Sequence, residues 1–155
     1  MHISRCSCIS SFPFPACGDA LGMENLDIPN YALLTTTPSY DAIRTRLNKP
    51  DYFLLQPQVD EYVQVDLGPG GKTLTAVTIK GRFSSSNKNW ITKFALNYSR
   101  DGSDFFSYME NGVLKVKKGL ERNQETLPSL IGERIHSKKL SISLRKTIYQ
   151  HTKNR

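Results

Sequence analysis

The fold is decided by residues 61–103, EYVQVDLGPGGKTLTAVTIKGRFSSSNKNWITKFALNYSRDGS. Two segments of this stretch alternate apolar with polar residues, so each offers one apolar face to a core. Their apolar positions are Val63, Val65, Leu67, Trp90, Phe94, Leu96 and Tyr98. Between them, residues 74–80 are rich in β-branched side chains, which favour strands. The stretch therefore predicts three strands of an antiparallel β core.

Two dipeptides predict tight turns between strands. Asp101-Gly102 and Asn111-Gly112 each lie between apolar runs, and both central residues of a type I′ turn need a positive φ, which these pairs tolerate. We therefore expect a hairpin at each pair. In the strand after the second turn, Leu114 and Val116 should face the core.

Four ordered motifs carry a family resemblance. They are CGDALGMEN at 17–25, YVQVDLG at 62–68, LTAVTIKGR at 74–82 and WITKFALNYSRDGS at 90–103. This set resembles the discoidin domain, also called the coagulation factor V/VIII type C domain. The resemblance implies an all-β fold, an antiparallel β-sandwich or distorted jelly-roll barrel of the galactose-binding-domain-like kind. It also implies a module, usually extracellular, that binds lipid headgroups, glycans or proteins through loops at one end.

Length and charge predict one domain with two extensions. The chain has 155 residues, which suits a single core. We assign residues 1–16 to a leader or disordered segment, 17–133 to the discoidin-like domain, and 134–155 to a basic tail. Residues 1–133 hold 14 basic and 14 acidic side chains, so the tail's seven basic residues account for the net charge of +7. Leu140, Ile142 and Leu144 alternate with polar residues and leave open one closing strand there.

Three cysteines, Cys6, Cys8 and Cys17, lie near the start of the chain. They form no zinc pattern, because a lone Cys-x-Cys pair cannot supply four ligands. Members of the resembled family usually join a cysteine at the Cys17 position to one near the end of the domain, and this chain has none there. Either the sandwich closes without that disulfide, or the chain is a fragment or an altered version whose domain is incomplete.

The sequence predicts neither a convincing signal peptide nor a membrane span. Prolines and serines interrupt the apolar run of residues 1–16. No stretch approaches the roughly 20 apolar residues that cross a bilayer. The extracellular or cell-surface location therefore follows from the resemblance alone.

The predicted ligand-binding site lies on three loops at one end of the sandwich, residues 36–40, 52–55 and 82–88. Its candidate residues are aromatic or cationic: Tyr40, Phe53, Arg82, Phe83 and Lys88. Aromatic rings stack on sugars or enter a headgroup layer, and the cations pair with phosphate, sulfate or carboxylate. We therefore predict a non-enzymatic recognition or adhesion module for a cell-surface glycan, an anionic phospholipid headgroup or an extracellular protein.

The sequence predicts no enzyme and no cofactor. Asp101 and Asp104 are close together, but no base accompanies them, and neither a catalytic set nor a metal motif is present. The resemblance allows a structural calcium ion, because some relatives hold one in a loop. Two alternatives stay open: a non-binding fragment of a larger adhesion or receptor protein, and a lipid or nucleic-acid contact through the basic tail, with nucleic acid disfavoured.

Two polar residues have assigned roles on the predicted strands. Asn97-Tyr98-Ser99 is an N-x-[ST] sequence, so Asn97 is a glycosylation candidate if the chain is secreted, on the outer face of its strand. Asp66 precedes the glycine-rich turn at 68–71. We expect it to accept backbone N–H groups there or to pair with an arginine such as Arg46.

Overall fold

A computed structural model describes residues 2–5, 19–36, 42–46, 61–80, 82–83, 88–118 and 126–147. Two short 3-10 helices lie among the strands, at Asn30–Ala32 and Ile43–Thr45. In chain order, the strands are β1 (His2–Arg5), β2 (Asp19–Ala20), β3 (Leu33–Thr35), β4 (Glu61–Asp66), β5 (Lys72–Lys80), β6 (Arg82–Phe83), β7 (Lys88–Ser99), β8 (Phe106–Ser107), β9 (Met109–Glu110), β10 (Val113–Leu114), β11 (Val116–Lys118), β12 (Thr126–Ser137) and β13 (Lys139–Thr147).

The strands form two principal sheets and a small hairpin. One sheet has the order β12-β5-β1-β2, and the other has the order β11-β7-β13-β4-β3. The strands β6 and β8 also pair with β7, while β9 and β10 form a separate hairpin. Each of these strand pairs is antiparallel. The predicted all-β, antiparallel sandwich is confirmed.

The core lies between the inner faces of the two sheets, where the alternating apolar side chains meet. Its members from the longer strands are Val63, Val65, Leu74, Val77, Ile79, Phe94, Leu96, Ile135, Leu140 and Ile142. Each is at most 5% exposed, and fully burying such a side chain contributes about 1.5–3 kcal/mol. The inward face predicted for residues 63–67 and 94–96 is confirmed.

The C-terminal strands belong to the sandwich. β13 lies between β4 and β7, with Leu140 opposite both Val65 and Tyr98, and Leu140 and Ile142 are 0% exposed. The assignment of 134–155 to a tail is therefore wrong for residues 134–147, whereas 148–155 lie outside the described residues. The basic charges predict a tail, but apolar alternation, and not net charge, decides whether a segment pairs with a neighbouring strand.

The first residues also join a sheet. β1 pairs with β5, with Ile3 opposite Val77, and with β2, with Ser4 opposite Ala20. The leader assigned to residues 1–16 is thus wrong for residues 2–5. Residues 6–18, which contain the three cysteines, lie outside the described part of the chain.

The two predicted tight turns differ. Asn111 and Gly112 have φ values of 53° and 74°, and Glu110 lies opposite Val113, so the hairpin there is confirmed. At the other pair, Gly102 alone has a positive φ, and β7 resumes pairing only with Phe106 and Ser107 of β8. The two-residue turn predicted at Asp101-Gly102 is wrong, because the Asp101 carboxylate binds backbone N–H groups and shapes a longer loop.

The strand registers define two poles of the sandwich. At the first, which we call the turn pole, β4, β7 and β12 end and β3, β5 and β13 begin. Lys139 lies opposite both Asp66 and Ser99 there. At the second, the loop pole, β3, β5 and β13 end and β4, β7 and β12 begin. Thr147 lies opposite Trp90 there, and Lys80 lies opposite Thr126.

Candidate ligand-binding site

The strands that flank two of the predicted loops, 36–40 and 82–88, end or begin at the loop pole, whereas residues 52–55 lie outside the described part of the chain. β3 ends there at Thr35, opposite Val63, two residues into β4. β4 begins there at Glu61, β5 ends there at Lys80, and β7 begins there at Lys88. Loops held by the strand ends of one pole lie close together, and this is where sandwich domains concentrate recognition.

The strand register sorts the candidate residues of the β6–β7 hairpin into two groups. Phe83 lies opposite Lys88, and Arg82 lies opposite Asn89. Positions directly opposite each other in an antiparallel pair share a face, and consecutive positions lie on opposite faces. Phe83 and Lys88 are therefore brought together, whereas Arg82 is on the other face of the hairpin.

The other two candidates, Tyr40 and Phe53, lie outside the described residues. The end of the segment that contains Tyr40 is anchored, however. Ala42 is 1% exposed and Thr45 is 7% exposed, and the Thr45 hydroxyl donates to the Ala42 carbonyl at 2.6 Å. The chain that leaves β3 at the loop pole thus returns to a fixed point in the core.

Arg46 continues this anchor. Its guanidinium is 3% exposed and donates to the carbonyls of Met23 and Ile28, the latter at 2.7 Å, and to Asn30 Oδ1 at 2.9 Å. Burial lowers the pKa of Arg46, and the Glu24 carboxylate opposes that shift. The predicted pairing of Arg46 with Asp66 is wrong.

At the turn pole, polar side chains hold the turns. Asp66 accepts from the Gly68 N–H at 2.9 Å, as its first predicted role required. The Ser137 hydroxyl, 0% exposed, reaches the Ser99 carbonyl at 3.1 Å and the Lys139 carbonyl at 2.5 Å. The Lys138 N–H donates to the Ser99 carbonyl at 2.8 Å, and the Lys138 carbonyl accepts from Leu67. These bonds tie three turns together.

Asp101 completes the turn pole and has a capping role. Its carboxylate accepts from the N–H groups of Ser103 and Asp104, at 2.8 and 3.0 Å, and from the Ser99 hydroxyl at 2.9 Å. These bonds, the one from Ser103 first, hold the pKa of Asp101 well below its usual range. A carboxylate with a lowered pKa is a weaker base, and the hydrogen bonds of Asp101 assign it to holding the loop.

Asn97 lies in the middle of the sheet. It is opposite Ser141 on one side and Ser107 on the other. Its Nδ2 donates to the Ser143 hydroxyl at 3.2 Å, and its Oδ1 accepts from the Ser107 hydroxyl at 2.9 Å. The side chain lies on the face opposite buried Phe94 and Leu96, where both ends of its amide are hydrogen-bonded.

Sequence reasoning missed a group of exposed apolar side chains, which we call the edge hairpin patch. Its members, each 40–68% exposed, are Phe105, Phe106, Met109, Val113, Leu114 and Val116. The inward orientation predicted for Leu114 and Val116 is wrong. Leu114 lies in β10, which pairs only with β9 among the described strands. Val116 lies in β11 opposite Ala95, on the face of β7 that is turned away from Phe94 and Leu96. A signal existed in the sequence: neighbours in a strand face opposite ways, so one residue of each adjacent apolar pair, Phe105-Phe106 and Val113-Leu114, had to face outward.

Within the described residues, no group of three or more His, Cys, Asp or Glu side chains is arranged to hold a metal ion. The part of the chain that the structure describes also contains no helix long and apolar enough to cross a membrane.

Two packed antiparallel sheets, with loops gathered at one pole, define a β-sandwich of the galactose-binding-like kind. The family model of the F5/8 type C domain matches residues 35–150, well over half of the chain. The chain belongs to the F5/8 type C domain family. Domains of this family are binding modules, generally without catalysis, that typically take carbohydrate or other ligands.

Curated relatives include neuropilin-1. The chain is 35% identical to neuropilin-1 of Rattus norvegicus over 74 residues, which is 48% of this chain and 8% of that protein. It is 32% identical to neuropilin-1 of Homo sapiens over 72 residues, 46% of this chain and 8% of that protein. The match thus covers a small part of the relatives' length.

Two solved structures share the fold. One is the family 32 CBM from C. perfringens NanJ in complex with galactose, with a TM-score of 0.52 and 15% identity over 75% of this chain and 84% of that chain. The other is CpGH89CBM32-6 produced by Clostridium perfringens, with a TM-score of 0.50 and 14% identity over 81% of this chain and 90% of that chain. At this identity, the similarity concerns the fold.

Proposed function

We propose that this domain is a non-enzymatic recognition module that binds a glycan through the loop pole. The observation that carries the proposal is the register of the loop pole, where β3, β5 and β13 end and β4 and β7 begin. An anionic phospholipid headgroup and an extracellular protein are the other ligand classes. An extracellular or cell-surface setting is part of the proposal.

A neutral or acidic sugar suits the β6–β7 hairpin. Phe83 and Lys88 occupy opposite positions of the hairpin, and we propose that one ligand contacts both residues. A ring stacks on the apolar face of a sugar, and an ammonium group binds its hydroxyl or carboxylate oxygens. The galactose complex of the structurally similar NanJ module supports this ligand class.

The experiment compares ligand classes and faces. A glycan array that includes galactose-terminated and sialylated chains is run beside liposomes of phosphatidylcholine with phosphatidylserine. We expect binding to the array, a loss of at least about tenfold for Phe83→Ala and Lys88→Ala, which corresponds to about 1.4 kcal/mol each, and a smaller loss for Arg82→Ala.

Matched controls carry the same side-chain types elsewhere. Phe106→Ala removes an exposed phenylalanine from the sheet edge, and Lys72→Ala removes an exposed lysine from the turn pole; both should bind as the parent does. If the domain binds anionic liposomes and no glycan, the ligand is a lipid headgroup. Glycan binding that survives Phe83→Ala and Lys88→Ala in a folded protein would place the site elsewhere.

A protein partner is the second candidate, and the edge hairpin patch favours it. Six exposed apolar side chains lie within residues 105–116, and a large exposed apolar surface marks interaction sites. The charges nearest to it are mixed: Lys115 pairs with Glu110 at 2.5 Å, and Asp101 and Asp104 are exposed beside Phe105. Such mixed charges suit a protein surface better than an anionic bilayer.

The two candidates are separated by one variant pair. Val113→Ser with Leu114→Ser removes apolar area from the patch while leaving the loop pole intact. Pull-down of the parent domain with a panel of purified extracellular domains should lose any patch-dependent partner in this variant and keep it in Phe83→Ala. The opposite result would assign protein binding to the loop pole.

The alternative of a basic tail has less support. Of the seven basic residues after position 133, five lie in or between β12 and β13: Arg134, Lys138, Lys139, Arg145 and Lys146. We expect no binding of duplex DNA or RNA at physiological salt. Nucleic-acid binding that disappears when residues 148–155 are deleted would establish the tail as a binding site. Binding to none of the tested glycans, lipids, proteins or nucleic acids would support the alternative of a non-binding fragment.

Glycosylation of Asn97 stays a proposal for the secreted chain. The Asn97 amide hydrogen-bonds Ser143 and Ser107 from neighbouring strands, so a glycan must be attached before these strands pair. Secretion from a eukaryotic cell should give a mass loss with peptide-N-glycosidase that is missing from Asn97→Gln. A secreted parent protein without that mass loss would exclude the modification.

A further inference from the structure

The Arg46 guanidinium lies in a cage of oxygen atoms. The carbonyls of Met23 and Ile28 and the amide oxygen of Asn30 all accept from its two terminal nitrogens. All three oxygens come from one segment, residues 23–30, which leads into β3. The buried Arg46 guanidinium thus holds together residues 23–30, which pair with no strand among the described residues.

The caged segment has an unusual backbone. Gly22 has a φ of +91°, and a Cβ placed there would lie 2.3 Å from the Asp27 Cβ. Leu26 has a φ of 71°, although its branched side chain disfavours that region. A glycine adopts a positive φ freely, whereas that of Leu26 persists only when the surroundings over-determine it. The hydrogen bonds from Arg46 provide that restraint, with help from the Ile28 N–H to the Gly22 carbonyl at 3.1 Å.

Carbonyl and amide oxygens are also the ligands that calcium takes, usually six to eight of them with carboxylates among them. Here the three oxygens already accept from a guanidinium that stays protonated in proteins. Its fixed positive charge repels a second cation at contact distance. The donor set therefore does not fit the structural calcium ion that the family resemblance allowed.

We propose that Arg46 is the built-in cation of this domain and takes the place of a structural metal ion. It joins the segment 23–30 to the end of the chain that leaves β3 at the loop pole and returns through Ala42 and Thr45. Folding of the domain is therefore independent of calcium. This inference concerns the scaffold and holds whichever ligand the loop pole binds.

Thermal unfolding of the parent domain tests the proposal directly. The melting temperature in excess EDTA should match that in millimolar calcium chloride to within about 2 °C. A fall on the order of 5 °C or more in EDTA, reversed by calcium, would overturn the proposal.

Variants test the role of the guanidinium itself. Arg46→Ala should lower the melting temperature on the order of 10 °C, with partial recovery in about 10 mM guanidinium chloride that equal sodium chloride does not give. Arg46→Lys should lie between the two, because an ammonium group keeps the charge without the planar fork. Arg44→Ala, at an exposed arginine in the short helix that Arg46 follows, serves as the control.

Two results would count against the account. An Arg46→Ala protein as stable as the parent would show that the cage needs no cation. In the second, calcium stabilises the parent protein and also restores the melting temperature of Arg46→Lys or Arg46→Ala to that of the parent. This result would show that a metal ion stabilises the segment 23–30. If Arg46→Ala does not fold, the parent titration and Arg46→Lys still decide.

Discussion

The two poles of the sandwich lie at opposite ends of the same strands and differ in the length of their connections. At the turn pole, residue 138 alone joins β12 to β13, whereas residues 36–60 join β3 to β4 at the loop pole. The side chains of the turn pole, Asp66, Ser99, Asp101 and Ser137, hydrogen-bond backbone groups of the sandwich itself. Polar residues in a turn therefore do not by themselves indicate a ligand.

Both poles depend on β13. This strand begins at the turn pole, where Lys139 lies opposite Asp66, and ends at the loop pole, where Thr147 lies opposite Trp90. It also separates β4 from β7 in the sheet. Changes along it should affect the whole domain, whereas changes at either pole should have local effects.

The largest expected effect is that of truncating the core in β13. Leu140 is 0% exposed, so Leu140→Ala should lower the free energy of unfolding by about 3 kcal/mol through lost burial and a residual cavity. Denaturant unfolding measures it. The control is Leu34→Ala on the edge strand β3, where the side chain is 47% exposed and the loss should be less than half as large. Equal losses would contradict the position of β13 in the core.

The next effect concerns the hydrogen bonds of the turn pole. Ser137→Ala removes a buried donor from the carbonyls of Ser99 and Lys139 and should cost about 1 kcal/mol. Ser141→Ala, on the next strand β13 opposite Asn97, should cost less in the same denaturant titration. If Ser137→Ala is as stable as the parent, the hydrogen bonds of the turn pole do not stabilise the fold.

A smaller, pH-dependent effect is expected at Asp101. Because the folded state lowers the pKa of this carboxyl, its contribution is complete above the ordinary aspartate pKa of about 3.9 and is lost as the pH falls further. The parent should therefore be more stable than Asp101→Asn at pH 7, with a gap that narrows below pH 4. Unfolding curves at several pH values, with Asp104→Asn as the control, measure it. A gap that does not change with pH would contradict this account.

The smallest effect on stability should come from the loop pole. Phe83→Ala and Lys88→Ala should each change the free energy of unfolding by no more than about 0.5 kcal/mol, as for surface positions away from the core. The same variants carry the predicted loss of ligand binding. A destabilisation as large as that of Leu140→Ala would show that the hairpin is part of the core. The two poles would then not differ in their contribution to stability.

The sequence predicted the sandwich because alternation and turn residues are local signals. The inward positions Val63, Val65, Phe94 and Leu96 follow directly from a period of two. The basic residues after position 133 predict a tail, whereas the alternation at 140–144 predicts a strand. The alternation is the signal that agrees with the position of β13 in the sheet. A strand's partners depend on segments distant in sequence, here β4 and β7, and no local pattern names them.

The place of the ligand site stays a prediction from the sequence. The register adds what no local pattern shows, because it separates Arg82 from Phe83 and Lys88. The cage of Arg46 joins residues that are 16 to 23 positions apart, which a sequence pattern does not reveal. Likewise, the exposure of Val113 and Leu114 depends on a hairpin that leaves the sheet edge.

Hydrogen exchange of the parent domain, followed by mass spectrometry, tests the central claim that β13 joins the two poles in one sandwich. The account predicts that peptides covering 139–147 exchange as slowly as those covering 61–66 and 92–99, because their amides pair with both neighbours. Exchange of 139–147 at the rate of an unstructured chain, while 61–66 stay protected, would contradict it.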